Sequence, residues 1–389
     1  MKYWRGYITA ALVALLTWAL ITFCQSHSVL VDMIYPYFSR LVQTFLAEWS
    51  SGVDFCLWQI LVTFAAVIAI ATVVLMIIFR WNFFQWLGWV LACVSVVLLL
   101  HTGLFGLNYY AGPLADDIRL TVSDEEYTVT ERMEATLYFR DKANELAASL
   151  PRNEAGDLDF PTFEEMAQAA GRGFEILTYD YSYPVFAGST VAVKKLGWSE
   201  MYTSMGITGV TMGITGEAAV NPEIPPVSLP FTMCHEMAHR MCIAQERDAN
   251  LAAYLACIAH DDPVFQYSGY FMAFRYSYNA LLSVGTTAAK NACDQIMAGV
   301  NTQLSTDLTR YKAFFAARQD AAASAFASSV NDTYIKVSGD SSGTGSYSEV
   351  ADLLVAWHIQ EIYLPAHKDE VQQFDPLDKN QVDLGEGYE

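Results

Sequence analysis

The sequence predicts a membrane-anchored protein: three N-terminal transmembrane helices followed by a mainly α, α+β domain with a small antiparallel sheet. Three observations carry that reading. Hydrophobic residues fill 53% of the 389 positions and charged residues only 16%, a balance that soluble chains rarely show. Charge is also unevenly placed: residues 1–106 hold four basic and three acidic side chains, so the remainder carries a net charge of −21 in an otherwise ordinary composition. Beyond residue 107 helical periodicity prevails except between 191 and 220, where β-branched residues, Met and Tyr alternate with Gly. The chain thus divides into a membrane domain (1–106), an outer domain (107–365) and an acidic tail (366–389).

Stretches 7–23, 56–79 and 83–105 are long enough to cross a hydrocarbon core about 30 Å thick, which takes roughly 20 residues at 1.5 Å each. The first, behind Lys2 and Arg5, reads as an uncleaved anchor. Only Arg80, Trp81 and Asn82 separate the second and third, which forces an antiparallel hairpin. Lys2, Arg5 and Arg80 place the N-terminus and the hairpin turn in the cytoplasm by the positive-inside rule, and three spans then put the large domain on the outer face of the cell membrane. Residues 27–54 keep Ile34, Phe38, Leu41 and Phe45 at helical spacing, the pattern of an interfacial helix, with a solvated loop as the alternative. The acidic outer domain has no basic cluster, which excludes a nucleic-acid-binding face and docking onto anionic headgroups.

Within the outer domain, Ser123 with Glu126 three residues on forms a capping-box pattern that opens a helix running to about residue 149. A second helix is expected over 162–170, short antiparallel strands within 191–220, and helices over 230–243, 247–259, 263–282, 302–334 and 347–362, the last with Tyr347 and Trp357 on its core face. Residues 338–346 read as a Gly/Ser-rich loop. Lys194 and Lys195, a rare basic pair here, read as part of a solvated loop or as a partner for a substrate carboxylate. Cys24, Cys56 and Cys93 sit in or beside the spans, and Cys234, Cys242, Cys257 and Cys293 read as small buried hydrophobes. Cys234 and Cys242 lie about 12 Å apart along one helix, too far to be bridged.

The chemistry concentrates in "CHEMAHRMCIAQERDANLAAYLAC". His235 and His239 are four apart, so on a helix both imidazoles leave one face and can grip one metal ion. Glu236 is displaced by about 100° around the helix, where its carboxylate reaches a water and not the metal. Zinc, the expected cofactor, supplies Lewis acidity, and Glu236 is placed as general base and then as proton donor to a leaving nitrogen. A catalytic zinc takes three protein ligands. Glu246 is the preferred third, Asp248 competes with it unless it pairs with Arg247 or Arg240, and Asn250 is placed to support the site from one turn on. On a straight helix Glu246 would lie about 10 Å beyond His239, so the chain must turn within "RMCIAQ", which contains neither Gly nor Pro. His/His/Glu also admits other divalent transition metals.

His-Glu-x-x-His followed by Glu-x-x-Ala-Asn resembles the gluzincin metallopeptidases. More closely, "GLNYYAGPLADD", "GITGVTMGITGEAAVN", "SLPFTMCHEMAH", "ERDANLAAYLACIAHDDPVFQYSGY" and "GTGSYSEVADLLVAW" make nearly the whole chain similar to a bacterial family of unknown function with three N-terminal spans and a zincin-like outer domain. The resemblance implies His235, His239 and Glu246 as zinc ligands and Glu236 as base. One position departs from it: the family usually has Gly three residues after the second His, where this chain has Cys242, so Cys242 must adopt a left-handed turn at a cost of roughly 1 kcal/mol or more, or the turn is made differently.

The expected function is hydrolysis of peptide bonds in secreted, envelope or membrane-proximal polypeptides by a membrane-anchored zinc metallopeptidase. The alternative is a zinc-binding membrane sensor or scaffold that keeps the fold without turnover. The strand region 206–220 is the candidate for pairing with an extended peptide, or else an internal strand. Tyr254, His260, Tyr270, Arg275 and Tyr278 are available to stabilise an oxyanion, each with packing or capping as the simpler role. The oligomeric state is left open.

Overall fold

The computed structural model describes residues 4–338 and 346–367. The expected loop 338–346 and tail 366–389 fall almost wholly outside the described residues, as does the side chain of Tyr347. Helices α1 (Arg5–Ser26), α3 (Leu57–Ile78) and α4 (Phe83–Leu104) are long and apolar enough to cross a membrane. They match the three expected spans. α1 and α4 approach so closely that a side chain at Gly6 would collide with the backbone of Gly88, the small-residue contact by which helices associate in lipid. The apolar window of α3 is exposed throughout.

Between the first two spans lies α2 (Ser28–Ser50). Ile34, Phe38, Leu41 and Phe45 are exposed, whereas Ser39, Arg40, Gln43 and Ala47 are buried. Its polar face is therefore the one packed against protein. This helix lies inside the expected membrane domain by sequence but grips the domain that follows the third apolar helix by contact.

Beyond the third apolar helix, α5 (Leu114–Asp117), α6 (Val129–Ser149), α7 (Phe163–Ala169), α8 (Gly171–Tyr179) and α9 (Ser199–Ser204) precede the main helical layer. α6 starts five residues later than expected. Thr128 and Glu131 make the capping box, while the Ser123 hydroxyl accepts from Glu125 N two residues on and closes only a local turn. α7 keeps the expected span, with Thr162 and Glu165 as its capping box.

The sheet is mixed, a correction to the antiparallel expectation. β2 (Gly209–Met212) pairs antiparallel with β3 (Glu217–Val220), but β1 (Lys194–Lys195) pairs with β3 in parallel, giving the order β1-β3-β2. A two-residue strand has no alternation to reveal it. Its direction is set by the α9 connection.

The main layer comprises α10 (Leu229–Arg240), α11 (Glu246–Ala259), α12 (Pro263–Ser283), α13 (Thr287–Ala298), α14 (Thr302–Arg318), α15 (Ala321–Ser338) and α16 (Ser346–His358). The single helix expected over 302–334 is two, because Gln319 turns extended and Asp320 caps the next start by accepting from Ala323 N. α13, capped by Thr286, is a helix beyond those the sequence pattern predicts. The core is built from α6, α8, α10, α11, α12 and α16, with Phe139, Phe174, Tyr254, Tyr267 and Phe271 fully buried within it. Trp357 is partly buried against this core.

Lys194 is not solvated. Its ammonium donates to Ser50 O (2.8 Å), Phe55 O (3.0 Å) and Glu217 Oε1 (2.7 Å). Glu217 also accepts from Leu57 N and Trp58 N at 2.7 and 2.8 Å, the first turn of α3, where a carboxylate meets the positive end of the helix dipole. One buried ion pair thus ties the sheet to the end of α2 and the start of a span. Lys195 points outward and pairs with Glu164.

Candidate metal centre

α10 opens with Pro230 in its first turn, where a missing N–H costs nothing, and buries nearly every side chain. Its end decides the site. Cys242 has φ +72°, Cys242 N donates to His239 O (2.8 Å) and Ile243 N to Ala238 O (3.1 Å), a Schellman turn with cysteine in the left-handed position usually given to glycine. The chain reverses there, and α11 begins with Glu246 at its first position.

Two contacts hold the strained residue. Cys242 Sγ donates to Ser39 Oγ (3.2 Å), and Arg40 Nε donates to Met241 O (3.2 Å), both from α2. Burial pushes the Cys242 thiol up to about 11, so it stays protonated. Neither α2 residue had a sequence signal tying it to a helix some two hundred positions away.

This turn brings His235, His239 and Glu246 together. The two Nε2 atoms are 3.1 Å apart, Glu246 Oε2 lies 3.3 Å from His235 Nε2, and Glu246 Oε1 lies 3.6 Å from His239 Nε2. A tetrahedral ion with bonds of about 2.0–2.1 Å sets its donors roughly 3.3 Å apart, so the donor set fits a zinc-sized ion. His239 Nδ1 faces Ile243 O at 2.8 Å, a carbonyl that takes the Nδ1 proton and so leaves Nε2, when the ring is neutral, as the atom offered to a metal. His235 Nδ1 is buried without a hydrogen-bond partner among the described residues.

The electrostatics follow from crowding. Burial pulls the His239 pKa down, but the Glu246 carboxylate reverses this and carries it to about 9. Burial pushes Glu246 up, and the two imidazoles outweigh it, holding its carboxylate well below the usual range. In Glu236 burial wins: its pKa is raised despite His235, His239 and Thr211.

Glu236 sits at 4% exposure against β2. The Thr211 hydroxyl donates to its Oε2 (2.7 Å) and lies 2.9 Å from its main-chain oxygen. A side chain at Gly209 would strike the Glu236 carboxylate, so the strand can pass this close only as glycine. Gly209 and Thr211 lie in the stretch considered for substrate pairing, yet nothing in the sequence linked them to Glu236. β2 is an edge strand, and β3 is internal.

Asp248 is placed elsewhere: its Oδ2 accepts from Leu114 N (3.0 Å) and its Oδ1 lies 3.5 Å from Arg247 Nε. Arg240 is buried on Ser189 O and Val191 O, and burial lowers its pKa to about 10. Asn250 is buried and accepts from the Tyr276 hydroxyl (3.3 Å). The candidate oxyanion stabilisers are engaged in packing: Tyr254 with Phe139, Tyr270 and Trp357, His260 stacked on Phe265, Arg275 over Tyr311, and Tyr278 against Phe274. All seven cysteines are free.

Three helices fit to span a membrane, joined to a helical domain that gathers two histidines and a glutamate beside a buried glutamate, define the class of protein. The family model DUF3810, a protein of unknown function, matches residues 31–355, and the chain belongs to that family. No curated protein and no solved structure matches it.

Proposed function

We propose that this protein is a membrane-anchored zinc metallopeptidase with a zincin-like, gluzincin-type site on the outer face of the cell membrane. The observation that carries the reading is the convergence of three donor groups at 3.1–3.6 Å with a buried carboxyl, Glu236, on the adjoining helix face. His235, His239 and Glu246 would hold the ion, which when bound supplies Lewis acidity toward a water and a scissile carbonyl. The chain's own groups do the rest. The Ile243 carbonyl keeps His239 in its ligand tautomer. Glu236, with a pKa raised by burial, is suited to accept a proton from the attacking water and return it to the leaving nitrogen. Thr211 aims that carboxylate, and the free edge of β2 offers backbone groups to an extended peptide.

The second reading is a zinc-binding sensor or scaffold, favoured by the firm packing of Glu236 between Gly209 and Thr211. Elemental analysis of the purified full chain, beside His235→Ala and Glu236→Gln, tests both. The peptidase reading expects about one zinc per wild-type chain, lost in the first variant and kept in the second, with hydrolysis lost in both. Zinc retained with hydrolysis unchanged in Glu236→Gln would sink the mechanism. Zinc bound by a wild type that hydrolyses no peptide would favour the sensor.

A further inference from the structure

We propose that the polypeptide cut at this site is itself membrane-anchored and is cut within about ten residues of the point where its own span leaves the bilayer. This rests on the metallopeptidase reading and adds the substrate class.

The first observation is where the site sits. Ser39 Oγ donates to Leu104 O (2.9 Å), the last residue of α4, and accepts from Cys242 Sγ (3.2 Å) in the turn that delivers Glu246. A single side chain therefore separates the end of a span from the ligand-bearing turn. Phe105, the next residue after that span, packs with Tyr109 and with Ala244, two residues before Glu246.

The second is the direction of the strand. Gln43 Nε2 donates both to Leu104 O (3.2 Å) and to Gly213 O (2.8 Å), and Phe105 fills the space a side chain at Gly213 would need. The Met212 end of β2 is thus fastened at the level where α4 emerges. The opposite end leads toward Gly206, which lies against Gln319, and Asp320 N donates to Ser204 O there at the start of α15. α15 also touches the Gly106–Tyr110 turn, so it links the two ends of the strand.

The third is the underside. α2 turns Ile34 (58%), Phe38 (54%), Leu41 (70%) and Phe45 (67%) away from the protein. That stripe belongs to a helix that packs against α1 and α4, two of the apolar spans. An apolar face on a helix packed against membrane helices belongs in the lipid interface. The strand edge then begins roughly one helix diameter, about 10 Å, above the acyl boundary. From there the bond beside Glu236 is two strand residues further on, about 7 Å at 3.3 Å per residue. About five extended residues cover the path, and slack doubles that.

The test uses the full zinc-loaded chain in phosphatidylcholine vesicles with three substrates that share one pooled random twelve-residue segment. In one the segment directly follows a single transmembrane helix, in the second a forty-residue Gly/Ser linker intervenes, and in the third it is a free peptide. The proposal expects the first to be cut at least tenfold faster than the others. Equal rates, or a faster free peptide, would overturn it and leave the peptidase reading standing. No hydrolysis of any of the three would remove the peptidase reading and this one with it. A second readout needs no turnover: in Glu236→Gln, a photo-crosslinker placed at Val210 should capture the first substrate in preference to the second, and equal capture would count against the proposal.

Discussion

Two buried charge clusters belong to the same sheet and helix assembly, and they differ in whether their hydrogen-bonding capacity is used up. At the Lys194–Glu217 pair each ammonium proton has an acceptor, and the carboxylate takes two backbone N–H groups besides. At His235, His239 and Glu246 two ring nitrogens and one carboxylate converge on one another, with only ring protons to share. A closed cluster is architecture; an open one, with 27% of the Glu246 side chain still accessible, is suited to a cation.

The largest effect that sharpens this contrast is kinetic. Glu236→Gln should lower peptide hydrolysis by about 10²–10⁴-fold, the usual worth of a general base, with zinc content unchanged. Steady-state rates alongside elemental analysis check it, and parallel loss of zinc would recast Glu236 as part of the ligand set.

Next is the closed cluster. Lys194→Met strands the Glu217 carboxylate and should cost about 3–5 kcal/mol of stability, whereas the double variant Lys194→Met, Glu217→Leu should recover most of it. Denaturant unfolding in detergent measures both. A Lys195→Ala variant should unfold like wild type, since its partner Glu164 is solvent-exposed. Equal damage from the two lysine variants would break the comparison.

Cys242→Gly relieves a left-handed residue worth about 1–2 kcal/mol but loses the Ser39 contact and adds chain entropy, so the net change should stay within about 1 kcal/mol. Cys242→Val, β-branched at positive φ, should weaken both stability and zinc affinity. Zinc titration of the two variants separates strain from packing.

The smallest effect concerns His358, buried against Tyr138 and Phe139, whose pKa burial lowers to about 4. Its neutral form is the folded one, so its contribution is complete above the unfolded value near 6.5. That contribution drains away as pH falls toward 4. Melting curves across pH 4–7 should show His358→Phe flatter than wild type.

The motif helix and its paired histidines were legible because their spacing is a local periodic property. The three helices long and apolar enough to cross a membrane were legible for the same reason, as twenty apolar residues need no partner to declare themselves. The start of α6 was misplaced because Ser123 and Thr128 both carry a glutamate three residues on, and only the Ser123 hydroxyl's bond to Glu125 N separates them. The length of α14 was overestimated because Gln319 and Asp320 interrupt a run of good helix formers without Gly or Pro.

Composition and spacing by themselves determined the three apolar helices, the acidic helical domain, and the two histidines with a carboxyl between them. Only the tertiary structure decided that Glu246 rather than Asp248 faces those histidines, that cysteine makes the turn, and that Gly209 and Thr211 shape the pocket of Glu236. It alone seated the site on Ser39 and Arg40 and joined Lys194 to Glu217. The physical reason is range: a helix face repeats every few residues and writes itself into neighbouring positions. A contact such as Arg40 to Met241 is fixed by packing across 201 positions and leaves no periodic trace.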